Sequence, residues 1–246
     1  MRNSTSPIPI PTGDFVLAQS TQREKVAAKE EAILDAAHAV FSESGVDGAK
    51  VSVIAQRAGV ALGTIYLYYK NKAELLDAVV ARFWQRLTQG ARDAVSGKAT
   101  ALEQIDALAH YHLSSILADM PFVGLTSIVR IQPQADSHHI SHVREYVRVF
   151  DQIISRATDR GDLTNPPPLW QMRDLFYGSL EYMARTLDLN QKTFDSSAVT
   201  NLTRVFQHSF FGASEVRTTV SASAADQILA RLDRIEAALT PKRIGT

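Results

Sequence analysis

Apolar side chains recur three and four positions apart along most of this chain, the spacing of helices with one buried face. The first run begins near Arg23, collects Ala32, Ile33, Ala36, Ala37, Val40 and Phe41, and meets Gly45, which stops it. Val51, Ile54, Ala55 and Ala58 form a second, shorter face that ends at Gly59, where a left-handed turn favours a residue without Cβ. A short helix restarts through Leu62, Ile65, Tyr66 and Tyr69, leaving Thr64, Tyr68 and Lys70 to point elsewhere. Asn71 with Glu74 makes a capping box for a long helix to about Ala94, burying Leu75, Leu76, Val79, Val80, Phe83, Trp84 and Leu87.

Beyond Ser96-Gly97-Lys98 the same period continues: Leu102 to Leu117, a run broken at Pro121, another through Ile131 to Pro133, and a long helix from Ser137 to Arg160. Asn165-Pro-Pro-Pro is a stiff connector to helices over 170–187 and 196–211. No segment alternates with period two, so the expected fold is all-α. Residues 1–20, with PIPIPTG, read as a flexible leader, in which Ile8, Ile10, Phe15 or Leu17 could still dock. Residues 21–72 then form one domain, 72–94 a linking helix, 95–212 a larger helical domain and 213–246 an extension. Within that extension, Ile228, Leu232, Ile235 and Leu239 give a short amphipathic helix over 225–239 that needs a partner: its own domain, a dimer mate or a second dimer.

Charge changes the picture locally. The chain carries 26 Lys and Arg against 26 Asp and Glu, so its net charge says nothing for nucleic acid. From Gly48 to Ala73, however, there is no acidic residue, while Lys50, Arg57, Lys70 and Lys72 are basic. Two short helices joined by a glycine turn make a helix-turn-helix, and an acid-free surface around it suits phosphates. Lys25 and Lys29 either join that surface or are simply solvated. The absence of cysteine excludes disulfides, thiolate metal sites and thiol nucleophiles. There is no apolar secretory core and no run long enough to cross a bilayer, so the expected location is cytoplasmic, without a membrane partner. No phosphate loop, GxSxG or metal-helix motif supports an enzyme, and no cofactor is expected.

The run AILDAAHAVFSESGVDGAKVSVIAQRAGVALGTIYLYYKNKAELL resembles the DNA-binding domain of the TetR family of transcriptional regulators. Ala58-Gly59-Val60, Gly63-Thr64-Ile65-Tyr66, Tyr68-Tyr69, Lys72 and Leu75-Leu76 carry the likeness, over about fifty residues. Ala61 departs from it, since the family usually places a capping Ser or Thr there, which is worth roughly 1 kcal/mol. The resemblance implies an N-terminal three-helix DNA-binding domain plus a larger ligand-binding and dimerisation domain. It places Ala61, Leu62 and Thr64 at the bases, with Leu62 equally suited to the core. It also places Tyr66, Tyr68 and Lys72 on the DNA backbone, Tyr68 being the stronger candidate because Tyr66 lies one turn from Leu62. Ser52, read as opening the second helix, offers either a phosphate contact or a plain N-cap.

The resemblance further implies a homodimer through 170–187 and 196–211, matched to a pseudo-palindromic double-stranded operator. Surplus apolar residues there, Leu175, Phe176, Met183, Val199, Leu202, Val205, Phe206 and Phe210, with Gly178-Ser179 for close approach, suit that interface or the closure of their own domain. Effector candidates are Phe83, Trp84, Tyr111, Phe122, Arg130, Tyr146, Phe150 and Tyr177, each also suited to plain packing. The runs TSIVRIQPQ and LFYGSLEYM resemble ligand domains of TetR-type fatty-acid repressors, which implies acyl-CoA or another hydrophobic ligand. Arg130 would then meet an anionic ligand or, alternatively, a carboxylate partner. His138, His142 and Glu145 share one helix face, but exposed histidines are the commoner reading, so no metal is expected; His110 and His112 point to different faces. The reading is a ligand-responsive repressor released from its operator by a small lipophilic effector. Its alternative is a DNA-binding scaffold or activator without an effector.

Overall fold

The computed structural model describes residues 13–131, 137–194 and 196–211, with side chains placed at 23–125, 141–194 and 196–211. The described residues form helices α1 (Gly13–Gly48), α2 (Val51–Arg57), α3 (Leu62–Tyr68), α4 (Lys72–Val95), α5 (Ala101–Ala118), α6 (Met120–Ile131), α7 (Ser137–Asp159), α8 (Leu169–Leu189) and α9 (Ser196–Phe210). Among them there is no strand, and one isolated bridge joins Leu163 to Phe211. The fold is all-α, as the periodicity predicts. No single helix among the described residues is long and apolar enough to cross a membrane.

Local chemistry sets the boundaries. α1 starts at Gly13, ten residues before the expected start at Arg23, because nothing from Asp14 to Ser44 interrupts a helix. The expected leader is therefore helical over 13–20, and residues 1–12 lie outside the described part. Gly45 breaks α1 with φ 68°. At the end of α2, the amide of Val60 donates to the Ala55 carbonyl at 3.0 Å and that of Gly59 to Gln56 at 3.2 Å, with φ 67° at Gly59. That is a Schellman closure, and it needs the glycine. α4 opens on the expected box: the Glu74 amide donates to Asn71 Oδ1 at 2.9 Å, while the Lys70 amide donates to Glu74 Oε2 at 2.8 Å. Ser52 is not the cap of α2; that position is Lys50, which makes no side-chain cap. Ala61 caps α3 without a side-chain bond, so the missing family hydroxyl is not replaced.

Two cores result. Ile33, Ala37 and Phe41 of α1 pack on Ile54, Ile65, Leu75 and Val79 to form the head. Ile105, Leu108 and Leu113 of α5 pack on Phe150, Ile153, Phe176, Leu180 and Phe206 to form the body. The cores meet at α4 and at the first turn of α6, where Phe122 of α6 is fully buried in the head core. Its ring lies 4.2 Å from that of His38 and 5.2 Å from that of Phe83, and His38 Nε2 pairs with Asp119 at 2.7 Å. The extension over 213–246, with its expected short helix, lies outside the described residues.

Candidate DNA-binding face and ligand pocket

Helix α3 holds itself in place with Ile65 and Tyr69, both buried. Tyr69 donates to Glu30 Oε1 at 3.3 Å, and burial pushes its hydroxyl up to about 12. The rest of the helix is open: Leu62 is 44% exposed, Tyr66 50% and Leu67 85%. The expectation that Leu62 and Tyr66 belong to the buried stripe is thus corrected, because seven residues of helix present too narrow a face for four core positions. Tyr68 is half-buried, its hydroxyl within 3.5 Å of the Val26 carbonyl, and Thr64 is half-buried too. Leu67, which the sequence reading passed over, is the most exposed side chain of the helix's apolar set.

The cations divide. Lys50, Ser52 and Lys70 are exposed. Arg57 makes a paired contact with Glu43, at 2.7 and 2.9 Å, and those hydrogen bonds hold the Glu43 carboxyl below its usual range. Lys72 is committed elsewhere. Its ammonium donates to the carbonyls of Val46 at 2.7 Å, Asp47 at 3.3 Å and Ala49 at 3.3 Å, so it clamps the α1–α2 connection at a negative helix end. An ammonium has three donors, and all three are used.

The body contains a pocket of about 280 Å³ between α4, α5, α7 and α8. Trp84, Tyr146 and Tyr177, all expected at an effector site, wall it together with His112, Val143 and Val147. Tyr146 lies 5.7 Å from Trp84 and 5.6 Å from Tyr177 between ring centroids. In its lining Arg173 is paired with Asp151 through bonds of 2.9 and 2.6 Å, and Asp174 and Glu181 line it too. His112 is the pocket-lining residue that the sequence reading did not place there. It sits seven positions after Ile105 and four after Leu108, on the buried stripe of α5, which was visible in the sequence. Its Nδ1 lies 2.7 Å from the Tyr146 hydroxyl, and burial pushes its pKa down from 6.5 to about 3, so the ring is neutral.

The other candidates fall elsewhere. Phe122 belongs to the head core, because α6 turns its first residues toward α1. Phe150 is fully buried behind the pocket, stacked on Phe176 at 4.7 Å. Phe83 and Tyr111 line a separate hollow of about 220 Å³ with Arg82, Arg86 and Asp119. Its charges are largely paired: Arg82 with Glu31 and Asp35, each at 2.7 Å, and Asp119 with His38. The Arg130 side chain lies outside the described residues, as does that of His138. Glu145 of the suggested metal trio is engaged by Arg92 and Arg148.

A helix-turn-helix head joined by one unbroken helix to a body with an aromatic pocket defines a ligand-responsive DNA-binding regulator. The pattern described as "Bacterial regulatory proteins, tetR family" matches residues 33–79, and that described as "YsiA-like protein, C-terminal region" matches residues 82–207. The chain belongs to the TetR family of bacterial regulators. It is 28% identical over 171 residues to the fatty acid metabolism regulator protein of Bacillus subtilis, across 69% of this chain and 88% of that protein. It is 29% identical over 149 residues to the transcriptional repressor KstR of Mycobacterium tuberculosis, across 60% of this chain and 64% of that one. The crystal structure of FadR from Bacillus subtilis in complex with stearoyl-CoA is similar at a TM-score of 0.64 and 25% identity, covering 71% of this chain and 96% of that chain.

Proposed function

We propose that this protein is a non-catalytic, homodimeric cytoplasmic repressor that leaves a pseudo-palindromic operator when a long-chain acyl effector, carried as its coenzyme A thioester, enters the α4–α5–α7–α8 pocket. The observation that carries this reading is that α4 contributes Trp84 to the pocket wall and Lys72 to the clamp on the head. The twelve helical steps from Lys72 to Trp84 span roughly 18 Å of uninterrupted helix at 1.5 Å per residue. A ligand that shifts α4 in the body therefore moves the recognition helix. Since the two half-sites of such an operator lie roughly 34–36 Å apart, a few Å of displacement breaks simultaneous docking. Similarity to a fatty acid metabolism regulator and to a stearoyl-CoA complex supports the acyl class. A pocket with convergent polar groups favours an effector over a scaffold role.

On this reading Ala61, Leu62, Thr64, Tyr66 and Leu67 face base edges, and Lys50, Ser52, Tyr68 and Lys70 face phosphates. The dimer forms on α8 and α9. Leu175, Tyr182 and Leu189 recur every seven residues along one exposed stripe of α8, and Val205 is exposed on α9. Footprinting on DNA flanking the coding region, across a salt series, tests the first half; two protected half-sites with a steep salt dependence are expected. Adding stearoyl-CoA and shorter acyl-CoAs tests the second. Weak binding equal on all DNA, or an operator complex indifferent to every chain length, refutes the corresponding half.

A further inference from the structure

Two residues that line the pocket each carry a buried polar atom without a hydrogen-bond partner: Nε2 of His112 and the hydroxyl oxygen of Tyr177. Their residues are 3% and 7% exposed, and the rings meet edge to face with centroids 4.9 Å apart. One such orphan costs about 1–3 kcal/mol, and folded proteins rarely keep two side by side. Both residues line the aromatic pocket of the body, which points to a ligand atom as the partner of the two orphans.

Counting hydrogens identifies that atom. The His112 ring is neutral, so only one of its nitrogens carries a hydrogen. Nδ1 faces the Tyr146 hydroxyl at 2.7 Å; because that hydroxyl is fully buried among rings, we assign its hydrogen to this bond and the imidazole hydrogen to Nε2. Tyr177 keeps its own hydrogen, since burial raises its pKa far above the ordinary value. The wall therefore offers one N–H and one O–H donor, a match for a single oxygen with two lone pairs. Charge narrows the choice further. Arg173 is occupied by Asp151, and Asp174 and Glu181 add two carboxylates to the lining, so a carboxylate ligand meets a wall with more acid than base.

We propose that the pocket holds the uncharged carbonyl oxygen of an acyl thioester, ester or ketone between His112 Nε2 and the Tyr177 hydroxyl, with the hydrocarbon lying along Trp84 and Tyr146. This rests on the effector reading above and specifies which group of the ligand is recognised. Tyr146 is a positioning residue, because it acts by fixing the His112 tautomer.

The test compares three probes on the purified full chain by titration calorimetry: stearoyl-CoA, its S-octadecyl thioether, which lacks only the carbonyl oxygen, and stearate. Two hydrogen bonds to otherwise orphaned donors predict thioester binding about ten- to a hundredfold tighter than the thioether, with stearate weaker than the thioester. Tyr177→Phe removes an unpaired hydroxyl without changing ring packing. It should weaken the thioester about five- to tenfold and leave thioether affinity unchanged, an outcome a merely structural role does not give. Equal affinity of thioester and thioether, or a Tyr177→Phe variant weakened equally for both, overturns the carbonyl assignment and leaves the lipophilic effector standing. If none of the three probes binds, the acyl effector and this assignment fall together.

Discussion

Replacing Phe122 by Ala tests the joint between head and body. Phe122 belongs to α6 of the body, yet its side chain is fully buried in the head core. Truncating a fully buried phenylalanine costs about 3–5 kcal/mol, from lost transfer energy and the cavity left behind. The ring also holds His38 at 4.2 Å, and His38 pairs with Asp119 across the same joint. That pair is about a quarter exposed on each side, so loosening it adds no more than about 0.5–1 kcal/mol. The total, about 3–6 kcal/mol, is a large share of the ~5–15 kcal/mol that keeps a domain folded. Urea unfolding followed by far-ultraviolet circular dichroism, at fixed protomer concentration because a dimer's stability depends on it, should show this loss. Phe122→Leu keeps most of the volume and should lose about 1–1.5 kcal/mol. The Ala variant should also lose much of the effector's influence on operator affinity. A loss below about 1 kcal/mol, or equal losses in both variants, would refute the packing of α6 into the head.

Three other residues give separate predictions. Lys72→Met removes the donor shared by three carbonyls and should cost about 1–3 kcal/mol of stability, with little change in the salt slope of operator binding, both read on one preparation. Lys50→Ala should behave in the opposite way, leaving stability within about 0.5 kcal/mol while lowering the salt slope by about one per protomer. His112 predicts an acid dependence. Its folded pKa lies below the unfolded 6.5, so its contribution is complete above pH 6.5, and the unfolded state alone takes up a proton as pH falls toward about 3. Stability should drop by about 1.4 kcal/mol per pH unit in that window, and His112→Gln should flatten the profile by that slope in urea titrations at successive pH values.

The helix-turn-helix was legible because its signals are local. Gly59, Asn71 with Glu74 and the Ile65–Tyr69 pair each act within a turn of chain, and each does in the structure what its chemistry requires. What failed depends on neighbours distant in sequence. Lys72 reads as a surface cation until the end of α1 arrives beneath it, and Arg57 as another until Glu43 does. Phe122 has the same helical spacing as any body residue; only the turn between α5 and α6 sends it into the head. His112 was hidden for a different reason. A histidine two positions from another draws attention as half of a pair, whereas its place on the Ile105–Leu108 stripe is what buries it against Tyr146.

The central claim is that pocket and operator are two sites on one equilibrium joined by α4. Effector affinity measured on the free protein and on protein saturated with operator tests it most directly. Linkage requires that operator weaken the effector by the same factor by which effector weakens the operator, within about 5- to 150-fold for ordinary coupling. Equal effector affinities in the two states would contradict the account.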